Sequence, residues 1–179
     1  MRKHLIPQKF IWVDLEMTGL DPKNCKITEV GIIITDANLN ELEVYESLVH
    51  QPKEVIGSAD AWVKENMNDL LAKSLAATDR KEDLVIGEVA ELIEKHFHDY
   101  AVLAGNSIHQ DRRFIREHWG KVEEKLHYRM LDVSAWKVFM QARFKTNFSK
   151  PEEHRALADI RGSIEELSFY LDFFDNNKN

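Results

Sequence analysis

The chain has one cysteine, no long apolar run and no excess of positive charge, and each shortage closes off a class. A single thiol, Cys25, cannot form an intrachain disulfide and fits a reducing compartment. It is expected at the edge of a loop, without a role. No stretch reaches the roughly 18 apolar residues that a transmembrane helix requires, so none is expected. Met1-Arg2-Lys3-His4-Leu5-Ile6-Pro7-Gln8 is basic but lacks the apolar segment of a secretory signal. The formal charge of −7 speaks against tight, non-specific binding along a long duplex, which needs many uncompensated Lys and Arg contacts. It leaves room for a small nucleic-acid ligand whose phosphates are neutralised by metal ions. Basic residues do gather between Arg112 and Lys145, as a solvated surface or a permissive patch.

At 179 residues, with 44% hydrophobic and 31% charged residues, the chain suits one well-packed domain. No internal repeat, low-complexity linker or charge block divides it. The expectation is a single domain over residues 1–179, with a core from 8 to 174 and a frayed Asn-rich tail from 175 to 179. Phe10-Ile11-Trp12-Val13-Asp14-Leu15-Glu16 opens as a strand buried on both faces, followed by turn chemistry from Met17 to Asn24. Ile27 to Thr35 and Leu42 to Val49 read as further strands, joined closely enough to be antiparallel neighbours. Gln51 to Gly57 reads as loop, with Pro52 and Gly57 as breakers, before short helices around Trp62 and from Asp69 to Ser74.

Apolar residues at Leu84, Val85, Val89, Leu92, Ile93 and Phe97 mark a long helix. Ala101 to Gly105 is a short strand, and His109 to Trp119 a helix with its basic residues outward. Tyr128 to Val133 is another strand, with a helix from Ser134 to about Arg143. From Glu153 to Phe174 the chain is helical, with Ile160, Ile164, Leu167, Leu171 and Phe174 as the core-facing stripe. Three meander strands followed by β–α–β–α units give an α/β fold on a mixed five-stranded sheet flanked by helices.

Asp14 and Glu16 are the first chemical signal. On a strand, residues i and i+2 share a face, so both carboxylates converge at the strand's C-terminal end. Two anions emerging from an apolar core repel each other and resist desolvation. A hard divalent cation would hold them. Asp111 follows in Gly105-Asn106-Ser107-Ile108-His109-Gln110-Asp111, in the first turn of a helix after a strand. The helix dipole alone favours a carboxylate there, and the junction would also aim it over the sheet edge where Asp14 and Glu16 point. His154 and Asp159, five residues apart, lie about 140° apart on an ideal helix. A loop-to-helix transition could bring both to one place.

Asp-x-Glu, then Asp, then His-x4-Asp resembles the DEDDh exonucleases of the ribonuclease H-like superfamily, and within them the oligoribonucleases. Trp12 to Pro22, Thr35 to Asn40, Gly105 to Phe114 and His127 to Ser134 carry the likeness, which runs from about residue 8 to 174. The resemblance implies a 3′-to-5′ exoribonuclease that hydrolyses very short RNA, dinucleotides above all, in the cytoplasm. Asp14, Glu16, Asp111 and Asp159 match the ligands of two Mg²⁺ or Mn²⁺ ions, and His154 matches the general base. Leu20 resembles a wedge between two bases and Trp62 a stacking platform. Ser107, Arg129 and Ser134 resemble the residues that close on a 5′-phosphate. Tyr128 resembles the residue delivered across a homodimer.

Three positions depart from the pattern: Met67 where a histidine near the bases is usual, Ala135 in place of a hydroxyl-bearing residue, and His109 where many bacterial relatives have glycine. A DEDDh exonuclease acting on longer RNA or proofreading DNA is the enzymatic alternative. A non-catalytic nuclease-fold module is the other, and it would have no need of five such mutually repelling groups.

Overall fold

The computed structural model describes residues 7–149 and 155–176. Strands β1 (Lys9–Met17), β2 (Ile27–Asp36) and β3 (Glu41–Leu48) form the meander. Helices α1 (Lys53–Gly57), α2 (Ala61–Asn66), α3 (Asn68–Ala76) and α4 (Glu82–His96) lead to β4 (Ala101–Gly105). Then come α5 (His109–His118), α6 (Gly120–Glu123), β5 (Leu126–Asp132), α7 (Val133–Phe144) and α8 (Ala156–Asn176). The sheet order is β3-β2-β1-β4-β5. β2 runs antiparallel to β1 and β3, while β1–β4 and β4–β5 are parallel. The expected mixed five-stranded sheet is present. No helix among the described residues is long and apolar enough to cross a membrane.

The period of two along β1 sorts the chain into layers. Ile11, Val13 and Leu15 pack with Val85, Val89 and Ile93 of α4 and Phe114 of α5 on one face. Trp12 packs on the other, with Val133 and Met140 of α7 and Ile160, Leu167 and Tyr170 of α8. Asp14 and Glu16 continue the series of Trp12, so they emerge on the side that α8 covers. Gly31 stands opposite Asp14 in the sheet. A Cβ there would lie 2.8 Å from Ala156 Cβ and 3.0 Å from its carbonyl carbon, so only glycine admits the first turn of α8 so close to the sheet.

Several expectations change. Residues 53–57, read as loop, form α1, because Pro52 begins the helix instead of breaking one: its fixed φ suits a helix entry. Leu84 and Leu171 are exposed, and Ile86 and Tyr170 do the burying on their helices. Cys25 is buried in the core under the Thr18-Gly19 turn. Arg112 does not face outward. It is buried on α5, where Nη1 donates to the carbonyls of His127 (2.8 Å) and Tyr128 (3.2 Å), and Nη2 to Glu123 (3.1 Å). Residues 175 and 176, expected to fray, continue α8; 177–179 lie outside the described residues, as do Glu153 and His154.

Candidate active site

The site forms where the parallel pair β1 and β4 ends, with the connections leaving in opposite directions, a place where α/β sheets open a crevice. β4 pairs with β1 at Ile11 and Trp12. Further along, Leu15 N–H has lost that neighbour and needs another acceptor. Asp111, in the first turn of α5, supplies it: Oδ1 accepts from Leu15 N at 2.9 Å. On the α8 side, Asp14, Glu16 and Asp159 each offer a carboxylate oxygen, and these lie within 4.8 Å of one another. Three carboxylates from β1 and α8 thus meet, and Asp111 from α5 holds the backbone between Asp14 and Glu16. His154 lies outside the described residues.

A fifth acid, Glu29, escaped the sequence reading. It is buried on β2 directly opposite Glu16, so the two side chains share a face. Its Oε1 accepts from Arg155 Nη2 at 2.9 Å and its Oε2 from Ala156 N at 3.4 Å, which ties the entry of α8 to the sheet. A glutamate within a strand of mostly apolar residues was the available signal.

Beyond Gly105 the chain turns through Ser107, whose φ of +48° is left-handed, a conformation that costs a serine energy unless neighbours enforce it. Ser107 N donates to Ser134 Oγ (2.9 Å) and to Asp132 Oδ1 (3.1 Å). The same Asp132 oxygen caps α7 through Ser134 N at 2.9 Å. Ser107 and Ser134 therefore meet, their hydroxyls 3.1 Å apart. Arg129 and Tyr128 stand on the edge strand β5, the guanidinium 5.4 Å from the Tyr128 ring centre. Tyr128 is 58% exposed. Leu20 and Trp62 are 69% and 53% exposed, so ordinary packing does not account for either. Asp60 N donates to Thr18 O at 2.8 Å, which fastens the start of α2, carrying Trp62, to the turn carrying Leu20.

Of the departures, Met67 is buried with Val63, Leu70 and Leu71, a packing position. Ala135 is exposed on α7. His109 Nδ1 lies 3.7 Å from Asp132 Oδ2. Much of the basic cluster is spoken for, since Arg112 and Arg116 both pair with Glu123, and Lys125 pairs with Glu94.

A family model named RNase_T, described as an exonuclease, matches residues 11–167. The oligoribonuclease of Francisella tularensis subsp. tularensis (strain FSC 198) is 40% identical over 164 residues, which cover 89% of this chain and 92% of that one. The oligoribonuclease of Vibrio campbellii is 42% identical over 170 residues, covering 91% and 93%. The chain belongs to the DEDDh exonuclease family. Among solved structures, Escherichia coli exonuclease I in complex with an oligonucleotide aligns with a TM-score of 0.60 at 15% identity, over 97% of this chain and 43% of that one. Exonuclease I of Methylocaldum szegediense aligns at 0.59 and 18%, over 96% and 43%. The chain spans less than half of those enzymes, and at such identities the likeness concerns the fold.

The electrostatics of this DEDDh exonuclease fit a bound cation. Burial, then the charges of Glu29, Asp159 and Asp111, push the Glu16 carboxyl up to about 8. Burial pushes Asp111 up to about 7, against the pull of the hydrogen bond from Leu15. Both folded values lie above the ordinary range. In the metal-free protein these groups therefore cost stability progressively as pH rises through about 4 to 8. A divalent cation takes the ionised form and must displace their protons. Apparent Mn²⁺ affinity should accordingly climb by up to about tenfold per pH unit and per proton released, from roughly pH 6 to 8. Calorimetry in two buffers of different ionisation enthalpy counts those protons, and a pH-independent affinity would contradict the assignment.

Proposed function

We propose that this exonuclease is a cytoplasmic, homodimeric 3′-to-5′ exoribonuclease. In this reading its substrates are very short single-stranded RNAs, 5′-phosphorylated dinucleotides above all, which it hydrolyses to mononucleotides. The whole chain then acts as one exonuclease domain. The observation that carries the reading is the meeting of Asp14, Glu16 and Asp159 within 4.8 Å, with Asp111 fixed on Leu15 beside them. Ser107 precedes Asp111 by four residues at the same end of the sheet.

Asp14, Glu16, Asp111 and Asp159 would hold two Mg²⁺ or Mn²⁺ ions, oxygen donors being what such hard ions take. When bound, the ions polarise the scissile phosphate and ease deprotonation of the attacking water. His154 takes the proton from that water, whose oxygen bonds to phosphorus as the P–O3′ bond breaks. The products are a 5′-nucleotide and a shortened chain with a 3′-hydroxyl. Leu20 inserts between the two bases and Trp62 stacks on one, worth roughly 1–3 kcal/mol. Arg129 and Ser107 close on the 5′-phosphate, and Ser134 shapes that pocket by accepting from Ser107 N–H.

The dimer is supported by the edge strand β5, where Tyr128 and Met130 are exposed, and by Val138 and Phe139, exposed on the following helix. An open edge with apolar neighbours invites a second copy. Tyr128 of the partner subunit would then complete the site.

A pocket on the 5′-phosphate and carboxylates at the scissile phosphate set a fixed span. With 5′-labelled RNAs of about two to ten nucleotides in Mg²⁺, kcat/KM should fall sharply beyond two. Arg129→Ala should slow the dinucleotide by roughly 10- to 150-fold, the loss of a charged hydrogen bond, and flatten the profile. Equal efficiency on two and ten nucleotides would overturn the dinucleotide reading in favour of a general trimming exonuclease.

A further inference from the structure

Glu166 is wholly buried on α8, two turns beyond Asp159, and takes no part in the chemistry above. Its Oε1 accepts from Tyr170 Oη at 2.7 Å and lies 3.8 Å from Lys137 Nζ. Its Oε2 accepts from Asn106 Nδ2 at 3.0 Å. Asn106 Nδ2 also reaches Ser163 Oγ at 3.0 Å, and Ser163 has already given its proton to Asp159 O at 2.9 Å. Both acceptors facing Nδ2 are thus unable to donate. The amide has one orientation open to it, with Oδ1 turned to the other side.

There Oδ1 accepts from Ser134 Oγ at 3.2 Å. A hydroxyl has a single proton. Because Ser134 spends its own on Asn106, it can only accept from Ser107, from N at 2.9 Å and from Oγ at 3.1 Å. The donor sequence therefore runs Ser107, Ser134, Asn106, Glu166. Ser107 stands at its open end, on an exposed residue in left-handed backbone. Its hydroxyl proton is the one in the series that holds no further member in place, so it is free to turn to an incoming anion.

We propose that Glu166, acting through Asn106, is the positioning residue that makes Ser107 a donor to the substrate's 5′-phosphate. The buried carboxylate fixes the amide, the amide fixes the Ser134 hydroxyl, and that oxygen holds Ser107 N–H in its strained conformation. The same helix carries Asp159, so the 5′-phosphate pocket and the carboxylate cluster are referred to one rigid element. This inference rests on the function proposed above and names a determinant of its specificity.

The test compares kcat/KM for a dinucleotide with a 5′-phosphate and for the same dinucleotide with a 5′-hydroxyl. A merely structural residue would lower both and leave their ratio unchanged. Glu166→Met, similar in volume but no acceptor, should cut the ratio about fivefold, as the loss of one hydrogen bond does. Glu166→Gln should keep the wild-type ratio, because Gln Oε1 can accept from Asn106 while its amide donates to Tyr170. Asn106→Ala, at a half-buried position, should reproduce the loss, and adding Glu166→Met to it should take away little more. A wild-type ratio near one would overturn the 5′-phosphate reading, and this inference with it. A wild-type preference retained in both Glu166→Met and Asn106→Ala would overturn the inference alone.

Discussion

Asp14→Asn is expected to lower kcat by about 10³- to 10⁴-fold, the several kcal/mol that metal stabilisation supplies, and yet to raise the melting temperature in EDTA. The two effects have one cause. Asp14 is one of three acids whose carboxylate oxygens lie within 4.8 Å of each other. Unit charges so spaced repel by about 3 kcal/mol at an effective dielectric constant near 20. Beside Asp14, burial and then the charges of Glu29, Asp159 and Asp111 push the Glu16 carboxyl up to about 8, so the cluster already resists ionisation. Removing one charge relieves the metal-free fold and removes a ligand oxygen. In excess Mg²⁺ the order reverses, because binding at about 100 times Kd stabilises the wild type by roughly 2.7 kcal/mol. Melting curves with Mg²⁺ and with EDTA, beside turnover, check both halves. Full activity of the variant, or of the wild type in EDTA, would remove the metal-dependent mechanism altogether.

What could be read from the chain depended on how far apart the interacting residues lie. β1 was legible because its alternation is local: the same period of two that buries Ile11, Val13 and Leu15 delivers Trp12, Asp14 and Glu16 to the other face. The placing of Asp111 in a first helical turn was also local. Its second reason, the Leu15 N–H left without a partner past the end of β4, needed the strand order. Glu29 was hidden because its partner, Arg155, is 126 residues away. Arg112 was misjudged as surface for the same reason, since the carbonyls it clamps belong to β5. Pro52 was misjudged on chemistry, as a residue that both ends and begins helices. Leu20 and Trp62 show the converse: each could have been core by composition, and exposure on neighbouring turns marks them as available to a ligand.

His154→Ala is expected to lower kcat by about 10²- to 10⁴-fold, the usual worth of a general base, while leaving KM and stabilisation by Mg²⁺ near wild type. The residue precedes Arg155, where the chain enters α8 under the hold of Glu29, and Asp159 N donates to Arg155 O at 3.0 Å. That anchorage ties Arg155, the neighbour of the proposed base, to the helix that carries Asp159. A base works unprotonated, so wild-type kcat should rise with pH through the ordinary imidazole value of about 6.5 and then level off. Ionisation of Glu16 also favours activity as pH rises, but it acts by strengthening metal binding. Saturating Mg²⁺ therefore suppresses that contribution and leaves the imidazole's. Under those conditions the variant should lose the lower limb of the profile, and added imidazole should restore part of the rate by accepting the proton from solution. A variant that keeps its saturated kcat but loses substrate affinity would make His154 a binding residue and leave the proton to another group.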